Sequence, residues 1–538
     1  MASVPARITR RQGVANWLVA HSWGLKVTAL VAFTVVSRLP FLPRYPFNGD
    51  TVNYMLALQH FDLANAQPHP PGNPLYVLLG KGVHLVVSDP NVALVWLSIG
   101  LAAVAVALTA WLGRLLWDEA TGLWGSLLLA VNPLFWLYSA VGLPYTAEAV
   151  AGLLVGLATL ACWRWPGWRS AVALGAAAAV AAGLRPTILV LLWPLLLLGL
   201  IGLSWRDRLR ALGVGFALSL LWAVPLVWLS GGLLRYWSLL HSITESFAVR
   251  TTVLNGPSRA WLNNLGQLGA ALLVGLGVPA VAFGYVWLRV RRRPALSRFV
   301  RWYLALWIVP PLSFFALVHF GQWGYLLLVL PVASLALYAL TAPALGTTRR
   351  AQGATAGLMA SVLTVVAFFL LRVGIREHDR YWDAMLAALQ QFPADQTVVL
   401  TPDGKAPLRL LNWLAPQELV LGVVQNDDGQ IEGFGSGAVG RQLYRLVIDP
   451  SLPAQARLVP YATAPRQRRL PQTFCPRVSL VVVHDPALQA WVRDAPAWKT
   501  LQLPGSEFLL WRSVPSQACL QIRDHRLQVV PETTADER

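Results

Sequence analysis

Charge is what this sequence has least of. Only 13% of its 538 residues are Asp, Glu, Lys or Arg, about half the roughly 25% of a soluble domain. With 56% hydrophobic residues, that scarcity excludes a soluble enzyme and makes the chain an integral membrane protein. Acids are scarcer still, 25 against 43 Lys and Arg, which leaves a formal net charge of +18. A charge of that sign does not make a nucleic-acid binder here, because no soluble basic domain or aromatic RNA-binding motif carries it. The cations sit in RDRLR (206–210), RVRRR (289–293) and RR (349–350), each between apolar runs. Basic loops of that kind are what the positive-inside rule expects of cytoplasmic connections.

Cysteine is nearly absent as well, with three in the chain. None has metal-ligand spacing, and one Asp with scattered His does not decide whether a divalent metal is used. Cys162 lies in an apolar run and reads as an inert core thiol. Cys475 and Cys519 lie in the polar C-terminal third, where a disulfide between them requires an extracytoplasmic location. The basic N-terminal stretch lacks a small-residue cleavage site, so it reads as leading into an uncleaved first span.

What the chain does have is long apolar runs. A spanning helix needs about 20 apolar residues. Candidates are 24–42, 91–117, 121–139, 146–163, 169–185, 187–204, 211–230, 265–289, 300–318, 325–342 and 354–373, about eleven transmembrane helices. With the N-terminus cytoplasmic, nearly every basic cluster falls on the cytoplasmic side. The extracytoplasmic face then receives the first loop (43–90), the turn 140–148, Arg185, the loop 231–264, the turn 319–325 and everything past about residue 375. Residues 375–538 read as a small α/β domain. The amphipathic stretch YWDAMLAALQQF (381–392) is followed by β-like runs at 397–401, 419–424, 443–449 and 477–484, separated by Pro, Gly and Asp. The expected architecture is an α-helical polytopic membrane domain (1–374) followed by an extracytoplasmic α/β domain.

Ionisable groups beside membrane spans are costly and therefore functional hypotheses. Here they gather on one face, which suggests a site at the outer membrane–water boundary and not a path across the bilayer. Asp50, in FNGDTVNYMLALQHF, is placed to take a proton as a general base, or to cap the helix that follows it; one carboxylate can do both. The stretch 51–63, which includes Asn53, could lie in the interface plane as an amphipathic helix. It cannot continue through QPHPPGNPLY, because proline lacks the amide donor. His69 in that turn either meets a phosphate, orients Asp50, or bonds only to backbone. Arg185, in AAGLRPT, suits a phosphate by its guanidinium fork or snorkels to the interface. Tyr145 and Glu148, with His319, Gln322 and Tyr325 of the turn HFGQWGY, complete the ring of candidate substrate-binding residues.

These pieces resemble a known family. The first-loop Asp, the PHPPGxPLY turn, NPLFWLYSAVGLPYTAEA, AAGLRPT and GYLLLVLP are similar to segments of the GT-C superfamily of polyprenyl-phosphate-dependent glycosyltransferases. The match is nearest to the branch like protein O-mannosyltransferases, with its HPPGYPLY signature. The resemblance spans roughly residues 25–342 and is most specific over GDTVNYMLALQHFDLANAQPHPPGNPLY. It implies a membrane enzyme that takes a sugar from a lipid-linked donor on the extracytoplasmic side, with Asp50 as catalytic base. Arg185 and the 319–325 turn would then lie near the donor phosphate. The chain departs from the pattern at three places. Asn73 stands where the signature has Tyr. The LPY turn (143–145) lacks its preceding Glu, for which Glu148 would substitute. Thr51 replaces the second acid of the Asp-Glu pair, which puts a protein acceptor in question. The expected reaction is inverting sugar transfer to an acceptor hydroxyl of glycan, lipid or protein, in the cell membrane. The rival readings are a lipid or solute transporter, or a non-catalytic envelope scaffold.

Overall fold

The computed structural model describes residues 10–64, 66–244, 252–253, 258–289, 296–345, 348–402, 406–416, 418–425, 431–435, 473–474, 480–483, 489, 498–503, 508–513, 518–523 and 526–531. Seventeen α-helices are described. They are α1 (Arg10–Val36), α2 (Gly49–Gln59), α3 (Pro74–His84), α4 (Pro90–Leu116), α5 (Glu119–Ala130), α6 (Pro133–Ser139), α7 (Tyr145–Arg164), α8 (Trp168–Leu184), α9 (Thr187–Ile201), α10 (Trp205–Leu229), α11 (Leu233–Thr244), α12 (Ser258–Arg289), α13 (Arg298–Leu317), α14 (Leu330–Leu345), α15 (Arg349–Leu371), α16 (His378–Leu389) and α17 (Ala406–Leu414).

Short polar residues set where the apolar helices begin. Asp89, Asp118, Ser204 and Ser297 each accept a bond from a backbone N–H in the first turn of α4, α5, α10 and α13, satisfying donors that no intrahelical carbonyl reaches. Asn132 caps α6 and its Nδ2 donates to the Gly275 carbonyl at 2.6 Å, so the same side chain also ties α6 to α12. At the basic corner after α9, Arg208 Nε donates to the Leu200 and Leu203 carbonyls at 2.9 and 3.0 Å. The cation thus covers the last carbonyls of α9, where the helix dipole favours it.

Every apolar run named above falls on helix, and not every such helix is by itself long and apolar enough to cross a bilayer. Among the described residues six qualify, or seven if α5 and α6, bent by 64°, count as one span. Hydropathy averages across breaks, so the run 121–139 hides the Asn132–Pro133 break between α5 and α6. The apolar helices α8 and α9, at 17 and 15 residues, are short of a hydrocarbon core of about 30 Å at about 1.5 Å rise per residue. The middle of the bundle is α7, 78% of whose apolar window is buried, while α10, at 6%, presents Phe216, Leu221 and Trp228 outward. Such an outward apolar face belongs against lipid.

Small residues let the helices approach closely. A Cβ on Gly175 of α8 would lie 2.2 Å from the Ala211 carbonyl oxygen of α10, and backbone cannot step aside as a side chain can. Gly175→Ala is therefore expected to cost about 1–3 kcal/mol, read as a lowered Tm of the purified protein in detergent.

The C-terminal strands are β1 (Thr397–Pro402), β2 (Leu419–Gln425), β3 (Ile431–Gly435), β4 (Thr473–Phe474), β5 (Leu480–Val483), β6 (Lys499–Gln502), β7 (Phe508–Ser513), β8 (Ala518–Arg523) and β9 (Arg526–Pro531). Six form a mixed sheet in the order β3-β2-β1-β5-β7-β6, and β4-β8-β9 form a second. β1 pairs parallel with β2 and β5, and its Val398, Val399 and Leu400 are fully buried, as the centre of a covered parallel stretch requires. The runs at 397–401, 419–424 and 477–484 thus carry strands, and 381–392 carries α16. The run 443–449 and Cys475 lie outside the described residues, as does the side chain of Cys519, so their proposed disulfide lies there too.

Helix α2 of the first loop does not present the exposed apolar face that the amphipathic reading of 51–63 expected. Helix α2 is buried on both faces. Tyr54, Met55, Ala57 and Leu58 enter the large helical core, while Val52 and Leu56 pack with Leu408, Leu410, Leu411 and β1. The partner that buries the second face comes from about 350 residues later in the chain, beyond any local pattern. A polar latch holds the same junction. Asp379 of α16 accepts from the Arg44 and Tyr45 amides at 3.1 and 3.4 Å, and Asp383 accepts from the Tyr45 hydroxyl at 2.8 Å and from Arg44.

Candidate active site

At the start of α2 the capping question has an answer. Asn48, not Asp50, is the N-cap: its Oδ1 accepts from the Thr51 amide at 3.0 Å and the Thr51 hydroxyl at 3.3 Å. Asp50 is left free of the helix end. Its carboxylate accepts from Gln322 Nε2 at 3.0 Å and Asn53 Nδ2 at 3.3 Å, and its side chain remains 38% exposed. Two neutral amides from different elements therefore aim a carboxylate that water or substrate can still reach.

His69 faces it, with Nδ1 at 3.6 Å from Asp50 Oδ1. That gap is too long for a direct hydrogen bond. Burial pushes the imidazole below its ordinary range, against the pull of Asp50, and the positive charges of Arg185 and Arg409 add to the lowering. His69 is thus neutral at pH 7. Its ring stands edge-on to Tyr54 at 5.9 Å, and the Tyr54 hydroxyl accepts from Asn73 Nδ2 at 2.6 Å. Asn73 sits at φ 43° in the left-handed region, which Asn tolerates far better than Tyr would. The departure from the signature therefore fits a specific place: Asn73 starts α3 and holds the tyrosine against which His69 rests. The Gln67–Pro68 and Pro70–Pro71 bonds of this turn are cis.

Arg185 ends α8 and does not snorkel. Its guanidinium pairs with Glu148 of α7, which is 3% exposed, and lies 4.6 Å over the Tyr325 ring. Tyr145 packs edge-on to Tyr325 at 5.7 Å and to Tyr138 at 4.9 Å. Space here is exhausted: a Cβ on Gly324 would meet the Tyr145 ring at 2.3 Å. The His319 ring lies 6.2 Å from Tyr325, held below its usual pKa by burial and then by Arg185. Turn 318–322 is pinned from α12, where Asn264 donates to the Phe315 carbonyl at 2.7 Å and accepts from the Phe320 amide.

All nine candidate residues from the sequence, Asp50, Asn53, His69, Tyr145, Glu148, Arg185, His319, Gln322 and Tyr325, therefore converge at one end of the bundle. Sequence reasoning missed Tyr54 and Arg409. Arg409 carries the C-terminal helix α17 into electrostatic range of His69, and nothing local signals that. Chemically the site combines a reachable carboxylate, a neutral imidazole, and a buried guanidinium with its charge set by one carboxylate.

The bundle, the folded-back first loop and the C-terminal sheet form a fold that a solved membrane protein shares. The chain is similar in structure to ArnT from Cupriavidus metallidurans, solved bound to undecaprenyl phosphate and in the apo state. Each comparison has a TM-score of 0.56 at 12% identity and covers 92% of this chain and 98% of that one. A looser likeness, with a TM-score of 0.46 at 13% identity over 91% of this chain and 74% of the other, links it to the archaeal oligosaccharyltransferase AglB from Archaeoglobus fulgidus. No protein-family model matches the sequence, and no curated protein does.

Proposed function

We propose that the chain is a membrane glycosyltransferase that moves a sugar from a polyprenyl-phosphate donor to an acceptor hydroxyl with inversion. The observation that carries this reading is Asp50: a reachable carboxylate relieved of capping by Asn48 and aimed by Gln322 and Asn53. The fold shared with ArnT, which is solved with undecaprenyl phosphate, supports a lipid phosphate as the donor's carrier.

In this mechanism the acceptor oxygen attacks the anomeric carbon, and its proton passes to the Asp50 carboxylate. The new carbon–oxygen bond forms as the bond from the anomeric carbon to the phosphate oxygen breaks on the opposite face. A single displacement of that kind inverts the anomeric configuration. The departing polyprenyl phosphate keeps the bonding electron pair, and the guanidinium of Arg185 stabilises the added charge from a fixed position. Glu148 and Tyr325 hold that guanidinium in place. His69 stays neutral, so it does not neutralise the base.

The same reading places the N-terminus in the cytoplasm and the site and C-terminal strands outside, supported by the basic clusters between apolar runs. Residues 1–374 would form the membrane domain and 375–538 the outer one. Gathering the polar groups at one end of the bundle favours catalysis at the interface over a transporter, which needs them along a mid-membrane route.

The His69 environment supplies a pH test. Its pKa lies below the ordinary 6.5, so the neutral form is complete at pH 7 and is lost only as pH falls through that lowered value. Protonation would then set a cation 3.6 Å from the base and draw down its basicity. Transfer is expected to be flat near neutrality and to fall on the acid side. In His69→Gln the part of the acid limb that belongs to the imidazole should disappear. A pH–rate profile with the same acid limb in both proteins would remove His69 from the titration.

A further inference from the structure

Between α12 and the 319–323 turn lies a cleft of about 340 Å³ lined by Asn263, Asn264, Gln267, His319, Phe320 and Trp323. Its size is at the small end of small-molecule sites and suits one sugar ring better than a chain of them. Gln322, in the same turn, is the residue whose amide meets Asp50, so the turn that walls the cleft also holds the proposed base. On its other side, His319 approaches Tyr325 and hence Arg185.

The amides of α12 are not equivalent. Asn264 is committed to the 315–320 backbone at both ends of its side chain. Gln267 accepts the Trp323 indole N–H through Oε1 at 2.8 Å, an arrangement that leaves its two amide protons to donate elsewhere. Asn263, one helical turn before Gln267, shares its face. Both are exposed to the cleft's opening, and the half-buried Trp323 indole beside them has a flat apolar face. Amides that both donate and accept, set next to an aromatic ring, match a ring that carries hydroxyls on its rim and C–H bonds on its face. Among the described lining residues none is Asp, Glu, Lys or Arg. Burial and the Arg185 charge keep His319 neutral.

We infer that this cleft is the glycosyl subsite and that it selects an uncharged sugar, a neutral hexose or pentose, over an amino sugar or a uronic acid. The inference rests on the glycosyltransferase reading and narrows it. At the ring edge turned away from Asp50 and Arg185, an ammonium group would find no carboxylate among the described lining residues, and a sugar carboxylate no cation. Either charge would lose hydration without a partner, and that loss discriminates against it.

The test is binding, which does not depend on turnover. Native mass spectrometry of the purified full chain would compare four short-chain lipids: bare polyprenyl phosphate, and the same lipid carrying a neutral hexose, a hexosamine or a hexuronic acid. The neutral sugar is expected to bind roughly tenfold tighter than the bare lipid, by about two hydrogen bonds' worth, and the charged sugars no tighter than it. The double variant Asn263→Leu, Gln267→Leu should lose that tenfold while its affinity for the bare lipid stays put. Both positions are exposed, so folding should survive, and unchanged bare-lipid affinity confirms that it has. Equal affinity for all three head groups, or a full sugar increment in the double variant, would overturn the subsite while leaving the lipid-phosphate reading intact. Failure of all four lipids to bind would overturn both.

Discussion

Asp50→Asn is expected to remove transfer almost completely while leaving the protein folded. A positioned general base contributes about 10²–10⁴-fold, so the residual rate should sit two to four decades below wild type on that scale. Folding is spared because the cap of α2 belongs to Asn48, whose Oδ1 serves the Thr51 amide. An amide at position 50 keeps an oxygen for the Gln322 and Asn53 donors that now meet the carboxylate. What it loses is the capacity to accept a proton at neutral pH. Tm and donor binding should match wild type. Asn48→Ala makes the complementary control: it should cost about 1 kcal/mol of stability, yet retain far more activity than Asp50→Asn. If the two variants lost activity equally at equal Tm, the separation of cap from base would be wrong.

The second large effect is on stability as well as rate. Glu148→Gln leaves the Arg185 guanidinium with a neutral partner in a site where Glu148 is 3% exposed and Arg185 18%. Breaking a buried pair from one side costs about 3–5 kcal/mol, because the surviving charge stays desolvated. Arg185→Ala leaves the more deeply buried Glu148 alone and also strips the Tyr325 ring of its cation. Both variants should therefore melt well below wild type. The double variant Glu148→Gln, Arg185→Met separates the two roles. With neither charge left, stability should largely return, while transfer should stay lost because the leaving phosphate has no guanidinium. Thermal melts and donor turnover on the four proteins check this. Recovery of activity together with stability would mean that Arg185 acts only as a structural ion.

Much of the site was legible before the fold was known, because ionisable residues are so scarce in this chain that each one stands out. Asp50, His69, Arg185 and the 319–325 turn were found that way. What could not be read locally was who holds whom. The Arg185–Glu148 pair links α7 and α8 across 37 residues, and the Gln322–Asp50 bond spans 272. Whether Asp50 caps α2 stayed open in the sequence, since Asn and Asp serve equally well at a helix start; the cap is Asn48. Helix α2 was read as interfacial because its second apolar face waits for Leu408 and Leu411 of α17. Asn263 and Gln267 were passed over inside an apolar helix, although amides at i and i+4 on one face were the signal available.

The central claim, that Asp50 drives inverting transfer from a lipid-linked sugar, is tested most directly by donor turnover. Purified wild-type protein in lipid would be incubated with a panel of polyprenyl-phosphate sugars and an acceptor, with Asp50→Asn alongside. The account predicts loss of sugar from at least one donor, a product of inverted anomeric configuration, and no turnover by the variant at equal donor binding. A product that retains the donor's configuration, or near wild-type turnover by Asp50→Asn, would contradict it.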